Sequence, residues 1–183
     1  MSKLATLGIC IALVLLAAAC HGSRSHPWKS YRAGGGQFTV EMPGTPTVAT
    51  HPRLTGATMT EVTTVGLDRG PKGSLQVSHY QLLPEAKGMP NKDLLQTDCM
   101  HPFTDSKFVP GAPTMVKVGP YQAMAIVGTA PRSDSLPNGG WEEDRCVVVA
   151  ERFYHLIAIG PDDDATRRTG QRFLDSFRPA AGH

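Results

Sequence analysis

The chain is 183 residues long, 40% hydrophobic and 19% charged, with a formal net charge of +2. That is enough chain for one domain with its own core. It is too weakly charged, with its bases too scattered, to give an electrostatic case for nucleic acid or another polyanion.

Residues 4–20 read LATLGICIALVLLAAAC, an uncharged apolar run preceded by Lys3 and closed by small residues and Cys20. A basic start, an apolar centre and a small-residue cut site describe a secretory signal peptide. Ala17-Ala18-Ala19-Cys20 resembles the lipobox of bacterial lipoproteins. That resemblance implies a diacylglyceryl group on the Cys20 sulfur and cleavage that makes Cys20 the new N-terminus. The alternatives are ordinary cleavage after an alanine and an uncleaved anchor. Residues 1–19 are thus expected to be a lipoprotein signal. Residues 20–36, rich in Gly, Ser and charge, are expected to be a lipidated tether reaching roughly 20–25 Å. The folded domain is expected over 37–183. Without Lys3 the mature chain carries 17 basic and 16 acidic side chains. The expected location is the bacterial envelope, on the outer membrane or the outer face of the plasma membrane.

The first expected strand alternates Phe38, Val40 and Met42 with polar residues and stops at Pro43-Gly44. Thr45–Thr50 is a short extended piece. Thr58–Leu67 is rich in β-branched residues and Ser74–Leu83 reads as its hairpin partner, across the turn Asp68-Arg-Gly-Pro-Lys-Gly. A helix is predicted from Asn91 to about Met100, with Cys99 in its last turn. Pro102–Pro113 is expected to be irregular. Thr114–Val118 and Tyr121–Gly128 are strands, the second central because both its faces are apolar. A polar loop fills Arg132–Gly140. Arg145–Ala150 and Phe153–Ile159 form a hairpin turning at Glu151-Arg152. The acids at 162–164 open a final helix to about Arg178, with Thr166, Gly170, Phe173, Leu174 and Phe177 on its inner stripe. Six to seven mostly antiparallel strands flanked by helices make an α+β fold.

Two segments carry a family resemblance. Trp28-Lys-Ser-Tyr followed by residues 35–46, GGQFTVEMPGTP, looks like the opening of a group of small exported bacterial proteins. Arg152-Phe-Tyr-His-Leu, Gly160-Pro161 and Phe173-Leu-Asp-Ser-Phe177 look like their closing hairpin and helix. The group is similar to the PsbP-like superfamily, which implies an antiparallel sheet between helices and binding or assembly roles. It implies no shared catalytic residues.

Cys99 and Cys146 remain once Cys10 leaves with the signal and Cys20 is acylated. An even pair in an exported protein favours a disulfide. Two buried thiols, or a metal site using Cys99 and His101, are the alternatives, though two ligands do not make a structural zinc site. No two of the seven histidines lie three or four apart, and G-x-S-x-G and Walker loops are absent. The acid run 162–164 lacks the ligand spacing of a calcium loop and reads as helix capping. The expectation is a lipid-anchored binding or assembly module without catalytic activity and without a cofactor. Its partners would be the membrane, through Cys20, and an envelope protein or a lipid-like ligand. The alternative is an enzyme whose site assembles from His79, His155 and Asp98, with an acid such as Glu143 joining the two histidines.

Overall fold

The computed structural model describes residues 27–180, apart from 56–57, 101–102, 104–106 and 135. The expected signal and Cys20 lie outside the described residues, and no described helix is long and apolar enough to cross a membrane.

Among the described residues the chain forms eleven strands and two α-helices. The strands are β1 (Lys29–Arg32), β2 (Phe38–Met42), β3 (Thr47–Thr55), β4 (Thr58–Asp68), β5 (Ser74–Gln81) and β6 (Val109–Pro110). They continue with β7 (Thr114–Val118), β8 (Tyr121–Ala130), β9 (Gly140–Val149), β10 (Arg152–Pro161) and β11 (Arg178–Pro179). The helices are α1 (Asn91–Met100), before β6, and α2 (Asp164–Ser176), before β11. An eight-stranded antiparallel sheet runs in the order β3-β4-β5-β10-β9-β8-β6, with β7 also on β8. Strands β1, β2 and β11 form a second, three-stranded sheet. Helix α1 packs on β8 and β9 from one side of the large sheet, while α2 packs on β10, β9 and β2 from the other. This is the expected α+β sandwich with more strands than the expected six to seven. The additional ones are the polar edge strand β1, the two-residue β6 and β11, and β3, which runs over Thr47–Thr55 where only a short extended piece at Thr45–Thr50 is expected; none of them carries a periodic apolar signature.

The boundaries need three corrections. The tether does not extend to residue 36: Lys29–Arg32 pairs with β2, and a short 3₁₀ turn at Gly34–Gly36 returns the chain. Strand β9 starts at Gly140 rather than Arg145. It lies between β10 and β8, so Trp141, Glu142, Glu143 and Asp144 are all buried despite the poor strand preference of acids. The hairpin turns at Ala150-Glu151, because Arg152 already pairs with Val149 and Ala150 takes the positive φ of 52°.

The period-two pattern of β2 places Phe38, Val40 and Met42 in the core beneath α2. Phe38 lies at the centre of an aromatic cluster, with ring centroids 5.3 Å from Phe177, 6.1 Å from Tyr154 and 5.6 Å from His79. In α2 the acid run caps the helix, as expected: the Asp163 carboxylate accepts from the Thr166 N–H at 2.7 Å. Thr166, Gly170, Phe173 and Leu174 are its buried face. A glycine inside a helix costs about 1 kcal/mol. Here it permits close packing, since a Cβ on Gly170 would meet the Trp141 ring at 2.6 Å. Helix α2 also fastens the small sheet. Arg172 donates to Glu41 at 2.9 and 3.0 Å and its guanidinium lies 4.3 Å over the Trp28 ring.

Candidate functional site

The dispersed residues do not assemble into one site. In the pairing of β5 with β10, His79 opposes Tyr154 and His155 opposes Ser78. Neighbours along a strand point to opposite faces, so the two histidines lie on opposite sides of the sheet. His79 faces α2, where its Nδ1 accepts from Arg152 Nη1 at 3.1 Å. Glu143 faces α2 as well, 2.8 Å from Arg145 Nε, and Arg145 also reaches Asp175 at 2.7 Å. Asp98, on α1, accepts from the Tyr80 hydroxyl and pairs with Arg53 at 3.7 Å. Burial and Asp98 together push the Tyr80 hydroxyl well above its ordinary value. Each candidate is therefore held in its own local pairing. His101 lies outside the described residues.

The structure instead brings together a cluster on the α1 face. Cys99, in the last turn of α1, is joined to Cys146 of β9 by a disulfide with a Cα–Cα distance of 5.8 Å. His155 stands directly opposite Cys146 in the β9–β10 register. Its Nε2 donates to Asp144 Oδ2 at 2.9 Å. Glu142 projects from the same face of β9, two residues before Asp144. All five residues are buried, Asp144 completely. Glu142 Oε2 and Asp144 Oδ1 have no hydrogen-bond donor among the described residues. No local cue in the sequence marks this cluster, because its acids are consecutive and only a strand geometry sorts Glu142 and Asp144 to one side and Glu143 to the other.

Two titrations of opposite sense follow. Burial, then repulsion from and hydrogen bonding to Asp144, pushes the Glu142 carboxyl from 4.5 up to about 8. Burial, then the neighbouring Arg152 cation, pushes His79 from 6.5 down to about 4. A raised carboxyl stabilises the fold fully below its unfolded value, and that contribution is lost as pH rises through about 8. A depressed imidazole contributes stability that is present above 6.5 and lost as pH falls through about 4. Between 4.5 and 6.5 the slopes oppose each other. Urea midpoints measured across this range are expected to plateau there and to fall on both sides. Glu142→Gln should flatten the alkaline fall and His79→Gln the acid one. Midpoints that rise steadily from pH 6.5 to 8 would contradict this reading.

No protein-family profile and no curated protein sequence matches the chain. The large antiparallel sheet between helices defines a PsbP-like fold. The cyanobacterial PsbP protein (CyanoP) of Synechocystis sp. PCC 6803 superposes with a TM-score of 0.52 at 8% identity, over 90% of this chain and 99% of that one. A protein of Bacteroides thetaiotaomicron superposes at 0.48 with 8% identity, over 83% of this chain and 48% of its own, too weak a likeness to carry weight. The likeness to CyanoP is one of fold.

Proposed function

We propose that this chain is a non-catalytic binding or assembly module of the bacterial envelope, held at a membrane by an acylated Cys20 and engaging another envelope protein or a lipid-like ligand. The observation that carries the reading is the uncharged apolar run ending in Ala-Ala-Ala-Cys at position 20. Buried methylenes contribute about 0.8 kcal/mol each, so two or more acyl chains make release from a bilayer very slow. The PsbP-like fold supports the module reading. So does the placement of His79 on the opposite face of the sheet from His155, which keeps the residues of the alternative enzymatic site from meeting at one point.

Because residues 29–36 belong to the body, the tether would be short and the small sheet would lie close to the bilayer. The test is metabolic labelling with palmitate and detergent phase partitioning. The wild-type protein is expected to take up label and enter the detergent phase. Cys20→Ser should lose both, and a serine variant that still labels would refute the anchor.

A further inference from the structure

The Cys99–Cys146 disulfide has a third potential ligand beside it. An imidazole nitrogen of His155 and the two sulfurs all lie within 4.8 Å of one another, and all three residues are buried. The two half-cystines come from different layers, α1 and β9, while His155 comes from β10, so three rigid elements converge on one point. We propose that reduction of Cys99–Cys146 creates a zinc-binding site formed by the two thiolates and His155, with Asp144 as the positioning residue for the imidazole.

The chemistry of the donor set fits zinc. Two thiolates and one imidazole are a borderline-soft set that zinc takes at about 2.0–2.3 Å, with a fourth position left for water or a small ligand. A dication bound by two thiolates and a neutral imidazole is uncharged as a unit, which limits the cost of burying it. Asp144 Oδ2 accepts from His155 Nε2, which leaves Nδ1 with the lone pair. A carboxylate behind a metal-bound histidine fixes ring orientation and tautomer in this way. Asp144 is fully buried, so its hold on the imidazole is made away from solvent. In a tetrahedral zinc site the sulfurs would sit about 3.7 Å apart, farther than a disulfide allows. Cys99 is one residue from the end of α1, so the last helical turn is where the proposed separation of the sulfurs would have to be made.

The balance is simple. A dithiol reductant is oxidised to its own disulfide as the protein disulfide takes up two electrons and two protons to give two thiols. Zinc binding then releases those two thiol protons to solvent. In the reverse step a small-molecule disulfide takes up the two electrons, and two protons from solvent, to become a dithiol, the protein thiolates re-form Cys99–Cys146 and zinc is released, so one cluster would alternate between a covalent staple and a metal staple across the same two elements.

The test uses the purified protein without oxygen, reduced by a phosphine, which holds zinc less well than a dithiol does. Cobalt(II) added to the reduced protein is expected to give a thiolate charge-transfer band and tetrahedral visible bands that saturate at one equivalent. Zinc should bleach them and protect both cysteines from alkylation, and the oxidised protein should show none of this. Asp144→Asn is expected to weaken zinc binding by about 10–100-fold while keeping the charge-transfer band. His155→Asn should change the visible bands themselves. If reduction alone melts the domain, zinc should restore its circular dichroism. The proposal is overturned if reduced protein binds cobalt no better than oxidised protein or the Cys99→Ser/Cys146→Ser variant. Binding that leaves the cysteines open to alkylation, or a reduced chain that stays unfolded with zinc, would overturn it equally.

Discussion

Phe38→Ala is expected to destabilise the domain by about 3–5 kcal/mol, the usual range for deleting a buried phenylalanine. The ring is 1% exposed and packs against Tyr31, His79, Tyr154 and Phe177. Those partners come from β1, β5, β10 and the end of α2, so the cavity would open where the small sheet, the large sheet and the helix meet. Little collapse is available there, because the partners are fixed on separate elements. Much of a domain's typical margin of 5–15 kcal/mol would be lost. Urea denaturation measures the change. Trp28 fluorescence reports its location, because that ring is held by Arg172 against the small sheet and should emit to the red when the sheet loosens. A loss under 1 kcal/mol, with unchanged emission, would show that Phe38 does not join the layers.

The second large effect is the loss of the disulfide. Cys99 and Cys146 are 47 residues apart, and closing such a loop is worth about 4 kcal/mol through the unfolded chain's entropy. Both sulfurs are fully buried, so the paired Cys99→Ser/Cys146→Ser variant also places two hydroxyls in an apolar layer formed with Leu95, Met124 and Ile126. The expected result is a fall in stability of about 4 kcal/mol on reduction of the wild-type protein without zinc, and a larger fall in the serine variant. The helix α1 should open first, since the bridge is its covalent tie to β9. Equal hydrogen-exchange protection of α1 in oxidised and reduced protein would contradict this.

Much of the fold was legible because it rests on short-range signals. Phe38, Val40 and Met42 alternate, Thr166, Gly170 and Phe173 recur at helical spacing, and Asp163 caps where an acid before a helix should. The disulfide followed from compartment and parity. In sequence, β9 looks like a strand only from Arg145, because Glu142, Glu143 and Asp144 have the composition of a loop, and only their enclosure between β8 and β10 makes them a strand. The site failed to be legible for a related reason. Whether His79 and His155 share a face depends on a register in which a one-residue slip exchanges the two sides of the sheet, and composition does not encode that register. The pairing of His155 with Asp144 and Cys146 is likewise a cross-strand fact, absent from either strand alone.

Whether a fatty hook ties this sandwich to a cell surface is read most directly from the intact mass of the protein extracted from membranes. The account predicts a chain beginning at Cys20 and heavier than its amino acids by a diacylglyceryl group, with or without a further acyl chain. A chain with an unmodified Cys20 thiol, recovered from the soluble fraction, would contradict it.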